Sequence, residues 1–149
     1  MIYSHLLKQG QALLAPRFGW LSNAANLAAL IYQNLPDVNW AGFYILDGNI
    51  LRLGPFQGKV ACTEIPLGKG VCGTAALQKQ TLVVADVHQF AGHIACDSAS
   101  KSEIVIPLLK GGQVWGVLDI DSPIFNRFEQ ADRMGLEELA KLFTTIAQI

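Results

Sequence analysis

Charge is scarce in this chain, and its two signs nearly cancel. Lysine and arginine number 11 and aspartate and glutamate 12, so charged residues make up 15% and the net charge is −1. No basic stripe is present, which removes the electrostatic basis for binding nucleic acid. No apolar run approaches the roughly 20 residues that span a bilayer, and no signal-peptide pattern opens the chain. A cytoplasmic protein without a membrane partner is expected. Repeats, low-complexity tracts and linkers are also missing, so residues 1–149 are expected to form a single domain. Cysteine is sparse and odd in number, with three residues. That argues against a secreted disulfide framework and for a reducing setting, where a disulfide would be catalytic and transient.

What remains is a globular chain with 51% hydrophobic residues, enough for a sizeable core. Its mean hydropathy of +0.31 is consistent with some apolar surface hidden in a homodimer. Met1 to Gly10 is ambiguous, with a frayed helix as its reading. Leu21 to Leu35 reads as a helix, with a stripe at Leu21, Ala24, Ala25, Ala28, Ile31 and Leu35, Ser22 as its cap and Pro36 as its stop. Trp40–Leu46 and Ile50–Phe56 form a hairpin around Asp47-Gly48. Cys62–Ile65 and Thr81–Val84 are short strands, separated by a glycine-rich loop from Gly68 that opens a helix to Gln78. Glu103–Leu109 and Gln113–Asp121 pair around Gly111-Gly112. Glu129–Gln148 closes the chain as a helix with Leu136, Leu139, Ala140, Phe143 and Ile146 on one face. This order predicts an α+β fold, with terminal helices on one face of an antiparallel sheet. The irregular middle then covers the other face, over a pocket.

The chemistry concentrates in that middle. Gly92 to Glu103 holds a cysteine, acids and serines without helical or strand period, and loops on a rigid scaffold carry function. Strand alternation puts Asp119 and Asp121 on one face with Trp115 and Val117; Trp40 and Tyr44 share a face of the first strand. Counting back through the Gly111-Gly112 turn sets Glu103 roughly opposite Asp121, so three carboxylates are expected to converge beside Cys96. Such a group repels itself, raises at least one pKa and suits a ligand ammonium. The plainer alternative is that Asp119 and Asp121 end an exposed strand and bind backbone in the Ser122-Pro123 turn.

Cys62, Cys72 and Cys96 admit three readings: buried apolar fillers, zinc ligands with His88 or His93, or a redox pair. Intervals of 9 and 23 residues between them match no common zinc pattern, so no metal is expected. The Gly68–Thr74 run lacks the ending of a nucleotide loop. Cys72 near a helix N-terminus is a candidate for a lowered pKa. His88 and His93 are candidate acid/base groups that are as readily structural.

Seven segments together carry a resemblance: Asn39-Trp40-Ala41-Gly42-Phe43-Tyr44, Leu53-Gly54-Pro55-Phe56-Gln57-Gly58, Gly70-Val71-Cys72-Gly73-Thr74-Ala75, Asp86-Val87-His88, Gly92-His93-Ile94-Ala95-Cys96-Asp97, Ser102-Glu103-Ile104-Val105 and Gly116-Val117-Leu118-Asp119-Ile120-Asp121-Ser122. From about Leu21 onward the chain resembles the free methionine-(R)-sulfoxide reductases, small GAF-domain enzymes. The resemblance implies a six-stranded antiparallel sheet between helix layers, often in a dimer. It implies reduction of free L-methionine (R)-sulfoxide, no bound cofactor, and thioredoxin as the partner that returns electrons. Carried over residue by residue, Cys96 is the attacking thiol. Cys62, before a glycine-flanked stretch, is the preferred resolving cysteine and Cys72 the alternative. Glu103 or Asp121 is the proton donor; Glu103, Asp119 and Asp121 hold the ammonium. Trp40 packs on the S-methyl group beside Tyr44, and backbone amides near Ile94, Ala95 and Cys96 take the carboxylate. The competing reading is a GAF module that binds a small ligand or senses redox state without catalysis.

Overall fold

The computed structural model describes residues 1–94, 99–147 and 149. Among the described residues, four α-helices and six strands are formed: α1 (Ile2–Leu13), α2 (Gly19–Asn34), β1 (Trp40–Asp47), β2 (Ile50–Gly58), β3 (Glu64–Pro66), α3 (Gly70–Gln78), β4 (Leu82–Val84), β5 (Ser102–Lys110), β6 (Gln113–Ser122) and α4 (Gln130–Ile146). The strands make one sheet in the order β3-β2-β1-β6-β5-β4, and every pairing in it is antiparallel. The α+β expectation holds. No helix among the described residues is long and apolar enough to cross a membrane.

Period-two alternation gives the sheet two buried faces. On one, Ala41, Phe43, Ile104, Ile106, Leu118 and Ile120 pack with Leu27, Ile31, Leu136, Leu139 and Phe143 of α2 and α4. On the other, Trp40, Tyr44, Val105 and Val117 pack with Val71, Cys72, Ala75 and Ala76 of α3. The helix read at the first residues is formed, as α1. The Tyr3 hydroxyl donates to Asp132 Oδ1 at 2.6 Å, and Asp132 also completes the capping box of α4 with Glu129. That one carboxylate therefore fixes a helix start and an interhelix contact.

Three local expectations fail. Ser22 does not cap α2, which already begins at Gly19 after a Pro16–Phe18 turn, with no side-chain cap. The lead-in is held instead by buried Asn23, whose amide accepts from Ala15 N at 3.1 Å and donates to Ala15 O at 2.8 Å. The buried stripe includes Ala24, Leu27, Ala28, Ile31 and Leu35, whereas Leu21 and Ala25 face solvent. Trp115 does not share a face with Asp119. The register runs Leu108↔Gly116 and then Leu109↔Val114, so Trp115 is the extra residue of a bulge, which reverses the side-chain alternation. It packs instead against Trp20 and Phe143, at ring separations of 5.2 and 5.8 Å.

Candidate active site

The floor of the site is a row across three strands. Trp40 pairs with Asp121, and Asp121 pairs with Glu103, one residue beyond the Ile120 partner that a strict count through the turn gives, a shift supplied by the bulge at Trp115. One step along, Gly42 pairs with Asp119, and Asp119 with Val105. Gly42 matters because a Cβ there would collide with Phe56 and the Trp40 ring. Its absence lets Trp40 stack between Phe56 and Tyr44, with ring centroids 5.1 and 5.9 Å away.

Three pieces roof this floor: α3, the Lys59–Cys62 strap, and the chain around His93, Ile94 and Ser100. Two wall side chains hold the strap. Trp40 Nε1 donates to the carbonyl of Lys59 at 3.1 Å, and Tyr44 Oη to that of Cys62 at 2.9 Å. The cavity, partly open to solvent, measures about 40 Å³, whereas one water needs roughly 10–15 Å³ on the same measure. It suits a small solute better than a nucleotide.

Trp40, Tyr44, Cys72, Ile94, Glu103, Asp119 and Asp121 all line this cavity. Ala95 and Cys96 lie outside the described residues. Cys62 contributes its backbone to the strap and is disulfide-bonded, while Cys72 is a free, buried thiol. His93, a candidate acid/base group in the sequence, lines the cavity, as does Ser100, which sequence reasoning did not select and which only its place in the polar middle segment marked. His88 is not in the cavity wall. Its Nδ1 lies 3.0 Å from Asp86 Oδ1 on the surface.

The electrostatics follow from burial. Glu103 and Asp119 are only 8% and 5% exposed. Desolvation, then Asp119 and Asp121, push Glu103 well above the usual carboxylate range. Desolvation also raises Asp119, against hydrogen bonds from Glu103 and Cys72 that lower it. Burial under these acids is incompatible with an exposed strand end; the turn after β6 is closed instead by Ser122 Oγ accepting from Ile124 N and Ser102 Oγ donating to Ile124 O. Cys72 sits near the start of α3, yet its thiol is raised, not lowered. Desolvation leads, and Asp119, Glu103 and Asp121 add to it. Burial, then His88, lowers His93, which favours its neutral form. A neutral-to-anionic cleft with an aromatic wall can take an ammonium group against an apolar methyl, and can supply a proton from a carboxyl.

A curled six-stranded antiparallel sheet carrying a small roofed cavity defines a GAF domain, and the GAF family model matches residues 21–146. Within that fold, the chain belongs to the family of the free methionine-R-sulfoxide reductases. It is 53% identical over 137 residues to the free methionine-R-sulfoxide reductase of Escherichia coli, covering 92% of this chain and 83% of that one. It is 48% identical over 149 residues to the free methionine-R-sulfoxide reductase of Saccharomyces cerevisiae, covering 95% and 83%. The X-ray structure of free methionine-R-sulfoxide reductase from Neisseria meningitidis in complex with its substrate superposes with a TM-score of 0.94 at 42% identity, over 98% of this chain and 88% of that one.

Proposed function

We propose that this chain, acting as one GAF domain over residues 1–149, reduces free L-methionine (R)-sulfoxide to L-methionine, with Cys96 as the nucleophile and thioredoxin as the returning reductant. The observation that carries the reading is the buried Glu103–Asp119 pair facing Trp40 and Tyr44 in a small cavity, in a chain about half identical to named reductases.

The substrate ammonium sits on Glu103, Asp119 and Asp121, and its S-methyl group lies on Trp40 beside Tyr44. Backbone amides around Ile94, Ala95 and Cys96 receive the carboxylate. The Cys96 thiolate attacks at the sulfoxide, whose S–O bond breaks; oxygen leaves with Cys96 as a sulfenic acid, and the substrate sulfur is reduced to the thioether. Glu103 supplies the proton that the oxygen needs, because burial keeps it protonated where an ordinary carboxyl is ionised; Asp121 is the alternative donor. A second thiol then condenses with the sulfenic acid, releasing water and forming a disulfide. Cys62 is the better resolving residue. Its disulfide-bonded state supports this, and Cys72 is a free thiol whose pKa is raised by burial, a poor setting for attack. A thioredoxin dithiol reopens the disulfide by exchange and leaves oxidised.

The test is NADPH oxidation coupled through thioredoxin and its reductase, with the (R)- and (S)-sulfoxides supplied separately. Turnover is expected with the (R) form alone and is expected to vanish in Cys96→Ser. Absence of turnover with both epimers would reject the enzyme and leave a ligand-binding or redox-sensing GAF module.

A further inference from the structure

Cys72 has no part in the proposed cycle, yet it lines the pocket. Its Sγ lies 3.9 Å from Glu103 Oε2. One ligand atom from each of Cys72, Glu103 and Asp119 lies within 4.8 Å of the others, and all three residues are buried. Asp119 is 5% exposed, lines the cavity, and its Oδ1 has no hydrogen-bond partner among the described residues. An ammonium satisfies that oxygen but has no use for sulfur. A thiol added to two carboxylates is the donor set of a borderline-soft metal ion.

We propose that Cys72, Glu103 and Asp119 form a site for a divalent cation of the zinc type. These residues differ from the cysteine–histidine set that the sequence spacing disfavours. Zinc bonds of about 2.3 Å to sulfur and 2.0–2.2 Å to oxygen place tetrahedral ligands about 3.5 Å apart. The observed 3.9 Å between Cys72 and Glu103 closes to that value with a small side-chain shift. The cavity leaves the fourth position open to water or another exchangeable group, the arrangement of a site that is not purely structural. Sulfur in the set selects zinc-like ions over magnesium and calcium. The cation and a substrate ammonium would compete for the same carboxylates. That consequence rests on the proposed reductase activity; the binding itself does not.

The experiment uses the protein with its disulfide intact, so that Cys72 is the free thiol, and cobalt(II) as the probe, without sulfoxide or reductant. One equivalent is expected to bind with a sulfur-to-cobalt charge-transfer absorption. Zinc should displace it and excess magnesium should not. Cys72→Ser should remove the absorption, and Asp119→Asn and Glu103→Gln should each weaken binding by roughly tenfold or more, with folding checked by circular dichroism. An absent charge-transfer band, a band that survives in Cys72→Ser, or equal affinity in folded carboxamide variants would overturn the site. None of those results bears on sulfoxide turnover, so failure here and failure of the reductase reading remain distinguishable.

Discussion

The two faces of the sheet are built from the same strands and spend them differently. Toward α2 and α4, alternate residues Phe43, Ile104, Leu118 and Ile120 meet aliphatic and aromatic partners, and burial there is plain stabilisation. Toward α3, the intervening positions place Glu103, Asp119 and Asp121 beside Trp40 and Tyr44. Burying acids costs stability unless they keep a proton or meet a cation. One face holds the fold together so that the other can hold groups in an unfavourable state.

Neutralising the acid face should have the largest effect. Glu103→Gln removes the proposed proton donor and one ammonium ligand, so kcat should fall by about 10²–10⁴, read by the coupled assay. The opposite face should respond in stability and not in binding. Phe143→Ala, which empties the contact 4.9 Å from the Phe43 ring, should cost about 3–5 kcal/mol in denaturant unfolding, with KM unchanged in the protein that stays folded.

The pH dependence sharpens the contrast further. Well below the ordinary glutamate value of 4.5, Glu103 is protonated in both the folded and unfolded chains. As pH rises, the unfolded chain ionises first, while the folded protein keeps its proton up to the raised value. Stability of the ligand-free protein should therefore fall from about pH 4.5 through the raised pKa, measured as Tm. Glu103→Gln should flatten that decline and be more stable than wild type at the alkaline end. The smallest effect is expected from Tyr44→Phe. It leaves the Cys62 carbonyl without its 2.9 Å donor, a loss of about 1–3 kcal/mol, which thermal unfolding should detect.

The acid face was legible in the sequence because its register is local. Gly111-Gly112 closes the β5–β6 hairpin, and counting from it brings Glu103 to within one residue of Asp121, the bulge at Trp115 supplying the last step. The paired aspartates and Trp40–Tyr44 follow from alternation alone. Trp115 was not legible, since a bulge adds one residue and leaves no mark in composition. Ser22 misled because a capping residue type also occurs inside a first turn. The place of Cys72 depends on α3 crossing the sheet, a long-range contact that no spacing encodes. Its pKa was accordingly expected in the wrong direction: proximity to a helix start is outweighed by burial among acids.

The central claim is that the buried carboxylates recognise the free amino group. The direct measurement compares kcat/KM for L-methionine (R)-sulfoxide with that for its N-acetyl derivative, which keeps the sulfoxide and loses the charge. A fall of about 10²–10⁴ is predicted, because the buried acids then lose their cation and stay unpaired. Equal values for the two substrates would contradict the claim and remove the acid face from substrate recognition.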